Sequence, residues 1–151
     1  SRESTWAEFY RARRIEPQVK MAADRGLLSS ADLRDLERLG ARLGELVGAD
    51  EPPARLHGDL WGGNLHVDEG GEPCLIDPAV YGGHREVDLA MMQLFGGFDQ
   101  AVFDAYAEEY PLASDWRERT SLYQLYYLLV HVNLFGGGYL GQTRAALRPY
   151  L

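Results

Sequence analysis

Apolar side chains recur every three or four residues over most of the chain, which is the spacing of one face of an α-helix. The first such stretch begins where Thr5 stands three residues before Glu8, a pairing typical of a capping box at a helix N-terminus. Pro17 is expected to interrupt or kink this helix, because proline lacks the amide hydrogen that the helix needs. Gly26 is expected to end it.

A second, longer helix is predicted from Ser30, the expected N-cap, to Gly48. Leucines and a valine repeat there at three- and four-residue spacing, so one face of this helix is apolar. Helical spacing returns in the second half of the chain, in the segments Glu86–Leu94, Gln100–Tyr110, Arg117–Phe135 and Leu140–Leu147. The apolar stretch 122–135 is too short to span a bilayer and is expected to form a buried helix.

The centre of the chain lacks helical spacing. Pro52 and Pro53 break the pattern, and nine of the seventeen glycines follow in the next 45 residues, from Gly58 onwards. Two short β-like segments, 64–67 and 73–76, flank the turn sequence Asp-Glu-Gly-Gly. This arrangement predicts a β-hairpin.

Together these segments predict a mainly α fold with a small central β element, in the α+β class. The 151 residues are about the length of one average domain, and the sequence shows no internal repeat or flexible linker. We therefore expect a single domain over residues 1–151. Within it we expect scaffold helices in 1–48, loops that could carry chemistry in 55–90 and a helical subdomain in 91–151.

Charge and cysteine content narrow the classes of function. The chain has 15 basic and 23 acidic side chains and a formal net charge of −8. Nucleic acids and anionic membranes bind basic surfaces, so neither is an expected partner. The single cysteine, Cys74, cannot form an internal disulfide, and the first residues show no secretory signal pattern, so we expect a cytoplasmic protein.

The candidate chemistry lies in His57–Asn64, which reads His-Gly-Asp-Leu-Trp-Gly-Gly-Asn, and in Asp77 after the second β-like segment. Phosphoryl transfer needs a carboxylate that orients the attacking hydroxyl and oxygen ligands for magnesium. Asp59 and Asn64 are five positions apart, the interval between the catalytic Asp and the metal-binding Asn of protein kinases. The combination predicts a phosphotransferase site.

Four motifs resemble those of the fructosamine kinase family, also called ketosamine-3-kinases. They are His57–Asn64, Ile76–Ala79, Tyr81–Ala90 and the late Phe135–Tyr139. That family belongs to the aminoglycoside-phosphotransferase-like group of the protein-kinase-like superfamily. The resemblance implies the C-terminal lobe of that fold, ATP and Mg²⁺ as cofactors, and a ketoamine or glycated amine as the small-molecule substrate, phosphorylated on a sugar hydroxyl.

Carried over residue by residue, the resemblance makes Asp59 the catalytic base and makes Asn64 and Asp77 the magnesium ligands. It gives His57 a role in bracing the catalytic loop. Asp88 would hydrogen-bond the backbone of the same loop.

Two aromatic residues, Trp61 and Tyr81, could offer ring faces to the substrate. Packing remains the alternative for Trp61. A turn or strand-end role remains the alternative for each of the candidate catalytic and metal-binding residues. The short spacing between Asp77 and Asp88 leaves no room for the activation loop of protein kinases, which favours a small acceptor over a polypeptide.

Kinases of this fold cover the nucleotide with an N-terminal β lobe that supplies a glycine-rich loop and a lysine. The only lysine, Lys20, lies in a helical stretch, so we expect the N-terminal lobe to be missing from these residues. The chain by itself is then expected to bind ATP poorly, to be inactive and to self-associate through the exposed lobe interface. Two alternatives stay open: a kinase acting on an aminoglycoside, choline or similar alcohol, and a non-catalytic kinase-like interaction module.

Overall fold

The computed structural model describes residues 3–151, and it is mostly helical with two small antiparallel sheets. Contacts group the chain into two compact units. The first comprises residues up to Asp50 together with Ser121–Leu151, and the second comprises Glu51–Thr120. This grouping by contacts does not test the expectation of one domain over 1–151 with three segments, which stays a prediction.

The first unit opens with a continuous helical stretch. It consists of α1 (Trp6–Phe9), a π-helical segment (Tyr10–Ile15) and α2 (Glu16–Asp24). The predicted capping box is confirmed, because Glu8 N donates to Thr5 Oγ1 at 3.2 Å and the Glu8 carboxylate accepts from the Thr5 amide. The break predicted at Pro17 is wrong, because the helical stretch continues through this residue, which lies in the first turn of α2 directly after the π-helical segment. The alternative expectation, a kink at Pro17, stays a prediction.

The next helix, α3, spans Ser30–Leu46, and its N-cap is Ser29 rather than the predicted Ser30. Ser29 has the extended backbone of a cap, and its Oγ accepts from Asp32 N at 3.2 Å. The Asp32 carboxylate accepts in return from the Ser29 amide at 2.9 Å. The capping box therefore begins one residue earlier, because the reciprocal partner of the cap is Asp32.

Two further helices, α6 (Thr120–Phe135) and α7 (Leu140–Leu147), complete the first unit. The predicted helix over 117–135 is thus divided, since residues 116–119 form a 3-10 turn. Buried hydroxyls tie the N-terminal helices to α6: Tyr10 donates to Leu122 O at 2.9 Å, and Tyr123 donates to Val47 O at 2.7 Å. None of the described helices has the length and apolar character needed to cross a bilayer.

The second unit carries both sheets. Strand β2 (Leu65–Val67) pairs with β3 (Pro73–Leu75), which confirms the predicted hairpin. Strand β1 (Ala54–Leu56) pairs with β4 (Tyr81–Gly83), a sheet that the sequence did not predict. Each of these two strands has only three residues, and two in β4 are glycine, so neither shows the alternation from which a strand is recognised.

The helices of the second unit are α4 (Glu86–Leu94) and α5 (Gln100–Glu109), followed by the 3-10 turn Trp116–Arg119. Leu89, Met92, Phe103 and Trp116 form its apolar core. Beside this core the Arg119 guanidinium makes two 2.8 Å hydrogen bonds to the Glu86 carboxylate, and both side chains are buried. This ion pair fixes the first turn of α4, the helix that carries Asp88.

Candidate active site

Residues 57–64 form a loop between β1 and β2, and the side chain of Asp88 holds its beginning. One carboxylate oxygen of Asp88 accepts from His57 N at 2.7 Å, and the other accepts from Gly58 N at 2.9 Å. Burial raises the pKa of Asp88, and the two amide hydrogen bonds oppose that rise. Asp88 therefore contacts the backbone of the loop from the first turn of α4.

His57 uses both ring nitrogens inside the protein. Its Nε2 lies 2.9 Å from Ile76 O and donates to it, because a carbonyl oxygen can only accept. Its Nδ1 accepts from Asp59 N at 3.3 Å. This pattern corresponds to the neutral imidazole, and it joins the loop to the segment that follows β3.

Asp59 and Asn64 are in direct contact. The amide Nδ2 of Asn64 donates to Asp59 O at 2.8 Å and to Asp59 Oδ2 at 3.2 Å. Asn64 is only 6% exposed and closes the 3-10 turn 62–64. Because its NH₂ group faces Asp59, its Oδ1 is the atom that could ligate a cation.

Asp77 follows β3 in an exposed segment that is tied to the loop on both sides. Ile76 N donates to Asn64 O at 3.0 Å, and Ala79 N donates to His57 O at 2.8 Å. Among the described residues Asp77 is the single non-glycine residue in the left-handed region, with a φ of 51°. The structure therefore brings the Asp77 segment against the loop of Asp59 and Asn64 through backbone hydrogen bonds.

The donor set suits magnesium better than a transition metal. Residues 3–151 contain no group of three or more His, Cys, Asp or Glu side chains that could hold a metal by themselves. Asn64 and Asp77 offer a few hard oxygen atoms, and magnesium characteristically combines one or two such protein ligands with phosphate oxygens and water.

The two aromatic candidates occupy different elements. Trp61 lies in the loop and is 41% exposed, and its indole ring covers Gly63 so closely that a Cβ there would overlap the ring. Tyr81 lies in β4 opposite Leu56 and is half-buried. A substrate role for either residue stays a prediction.

Close backbone contacts are the feature of the site that the sequence did not reveal. A Cβ on Gly58 would overlap the carbonyl oxygen of Ala79, and Gly62 touches Gly97 in the loop between α4 and α5. In the sequence, Gly62 and Gly97 each belong to a pair of adjacent glycines, which indicates a turn or a close approach of the backbone. Which backbone each one approaches depends on tertiary structure and leaves no local signal.

The family model and the similar proteins all match this chain over nearly its whole length. A family model described as fructosamine kinase matches residues 1–151. A probable ketoamine kinase of Enterococcus faecium is 40% identical over 152 residues, covering 98% of this chain and 54% of that protein. The ketosamine-3-kinase of Mus musculus is 39% identical over 150 residues, covering 97% of this chain and 47% of that protein.

A solved structure shares the fold as well. The crystal structure described as that of a fructosamine-3-kinase from Thermobifida fusca has a TM-score of 0.92 and 49% sequence identity to this chain. The match covers 99% of this chain and 52% of that one. The chain thus spans about half the length of the relatives that it matches.

Proposed function

Because the chain belongs to the fructosamine kinase family, we propose that it carries the phosphoryl-transfer site of a small-molecule kinase. The reaction moves the γ-phosphate of ATP to a sugar hydroxyl of a ketoamine. The observation that supports this most directly is the pairing of Asp59 with Asn64 on one loop, next to the Asp77 segment. Relatives named as ketosamine and ribulosamine 3-kinases support the choice of acceptor.

Asp59 is the proposed catalytic base. Its carboxylate would orient the sugar hydroxyl and take its proton as the phosphoryl group arrives. The Asn64 amide holds one carboxylate oxygen at 3.2 Å and the main-chain oxygen at 2.8 Å, so the orientation of Asp59 is set before substrate binds. His57 holds the Asp59 amide and serves as a brace, since both of its ring nitrogens are engaged.

Asn64 and Asp77 are the proposed magnesium ligands, through the side-chain oxygens of each. When bound, the ion would neutralise the charge that develops on the phosphates. Asp88 contributes indirectly by holding the first two amides of the loop. Trp61 is the more accessible of the two aromatic candidates for contact with the sugar or the amine.

We further propose that the chain corresponds to the C-terminal lobe of the kinase fold. The match to about half of each relative supports this assignment. In that arrangement the glycine-rich loop and lysine that contact the nucleotide belong to another part of the enzyme. Weak ATP binding and self-association of the chain by itself stay predictions.

The test is a phosphorylation assay on the protein expressed from its complete gene, with ribuloselysine, fructoselysine and an aminoglycoside as acceptors. We expect ATP-dependent phosphorylation of a ketoamine. Asp59→Asn should lower kcat by about 10²-fold or more, since a positioned base contributes 10² to 10⁴. The matched control is Asp99→Asn, an exposed aspartate that makes no capping hydrogen bond. Phosphorylation of the aminoglycoside alone would contradict the proposed acceptor, and full activity of Asp59→Asn would contradict the assigned base.

A further inference from the structure

The loop that carries Asp59 is held at two points by one continuous stretch of chain. At its beginning, the carboxylate of Asp88 in α4 accepts hydrogen bonds from the amides of residues 57 and 58. Farther along, Gly62 touches Gly97, which follows the end of α4. Asp59 lies in the arc between these two contacts.

The second contact is backbone against backbone. A Cβ placed on Gly62 would lie 2.8 Å from Gly97 Cα, and a Cβ placed on Gly97 would lie 2.6 Å from Gly62 Cα. Real Cβ atoms essentially never approach another atom within 3.0 Å. Any side chain at either position would therefore push the two segments apart.

The position of Gly62 connects this contact to the chemistry. Gly62 is the first residue of the 3-10 turn whose last residue is Asn64. Between the two contacts, Leu60 packs against the apolar core that includes Leu89 and Met92 of α4. The loop is thus supported along its length by α4 and the residues that follow it.

We infer that Gly62 and Gly97 are positioning residues for phosphoryl transfer. Their contact sets the turn 62–64 and, through it, the placement of Asn64 relative to Asp59. This inference rests on the proposed function. Displacements of a fraction of an ångström in a catalytic constellation lower the rate, because reacting groups must be held in a near-attack geometry.

The experiment measures kinetics on the protein expressed from its complete gene. Gly62→Ala is expected to lower kcat by about 10- to 100-fold, with the KM for the ketoamine within about twofold of wild type. The Mg²⁺ concentration that gives half-maximal rate should rise, because Asn64 is displaced. A substitution that only reduced the folded fraction would leave this Mg²⁺ dependence unchanged.

Gly71→Ala is the matched control. Gly71 has a φ of +86° and Gly97 a φ of +97°, so alanine is strained at both, but Gly71 lies in the turn between β2 and β3 and a Cβ there would meet nothing within 4 Å. We expect Gly71→Ala to keep kcat and Mg²⁺ dependence within about twofold of wild type, and Gly97→Ala to behave like Gly62→Ala. Wild-type values for Gly62→Ala, or equal losses for Gly71→Ala, would overturn the inference.

A second measurement covers the case in which Gly62→Ala does not fold. Asp88→Asn preserves side-chain size and loosens the other contact point. Hydrogen exchange should then become faster in residues 57–64 and in residues 95–98 together, and faster exchange in 57–64 alone would overturn the inference. A failure of the proposed function appears differently, as a wild-type protein that phosphorylates no ketoamine.

Discussion

Asp88→Asn tests how the loop of Asp59 is held. The substitution keeps the shape of the side chain, but it replaces one acceptor oxygen by an NH₂ group. In the native structure both carboxylate oxygens accept backbone hydrogen bonds, at 2.7 Å from His57 N and at 2.9 Å from Gly58 N. Asparagine can accept only one of them, and it turns a donor towards the other.

The expected loss of stability follows from these contacts. A hydrogen bond to a charged group contributes about 1.5–3 kcal/mol, and one of the two is removed. The substitution also removes the cost of burying a carboxylate, which is the cause of the raised pKa of Asp88. The two effects oppose each other, so the free energy of unfolding at pH 7 should fall by about 1–2 kcal/mol.

The pH dependence has a definite sign. Because the pKa of Asp88 is raised in the folded protein above its ordinary value of 3.8, the native state binds a proton more readily than the unfolded chain. The stabilising contribution of this linkage is complete below pH 3.8 and is lost as the pH rises through the folded pKa. The stability difference between wild type and Asp88→Asn should therefore be larger at pH 4 than at pH 7.

Urea unfolding at several pH values measures both quantities. Asp99→Asn is the control, since Asp99 is exposed and its side chain makes no capping hydrogen bond. Its unfolding curve should coincide with that of wild type. The reasoning is refuted if Asp88→Asn is as stable as wild type at pH 7, or if the difference between the two proteins grows as the pH rises.

Three other predictions address packing, the buried ion pair and the nucleotide. Gly58→Ala should lower the melting temperature more than Gly71→Ala, because both have a φ near +85° but only the Cβ at Gly58 meets backbone atoms; equal shifts would argue against the overlap. Arg119→Met should cost about 3–5 kcal/mol of unfolding free energy by leaving the Glu86 carboxylate buried without its partner, whereas the exposed Arg117→Met should cost little. ATP titrated with Mg²⁺ into the chain by itself should bind weakly in calorimetry. Micromolar affinity would contradict the proposal that the main nucleotide contacts belong to another part of the enzyme.

Local patterns predicted the helices well. The bounds of α4 and α7 agree with the sequence prediction, and the hairpin of β2 and β3 follows from its turn signal. Three details of the helices were predicted wrongly, and all are local: the break at Pro17, the cap at Ser30 and the undivided helix over 117–135. A proline inside an apolar pattern can begin a helical segment as well as break one, and two adjacent serines offer alternative caps that only the position of Asp32 distinguishes.

The family was also predicted correctly, because each motif that carries the resemblance is an uninterrupted run of residues and can be recognised from the sequence. The resemblance also led us to expect that Asp88 contacts the backbone of the loop. Two other contacts near the site were not predicted, because their partners are far apart in sequence and form no shared motif. Arg119 and Glu86 are separated by 33 positions, and the contact between Gly62 and Gly97 joins two segments with no shared pattern. A charged residue or a glycine in the sequence can indicate that a contact exists, but the identity of the contacting residue depends on the tertiary structure.

The segment that carries Asp77 is fastened to the loop of Asp59 mostly by main-chain atoms, with Ile76 N on Asn64 O and Ala79 N on His57 O. Main-chain hydrogen bonds depend on the number of residues between them and little on which side chains those residues bear. These two hydrogen bonds do not by themselves restrict which side chains stand beside Asp77, whereas the insertion or deletion of a single residue between them would move the carboxylate out of register. Length is the quantity that this part of the sequence has to preserve.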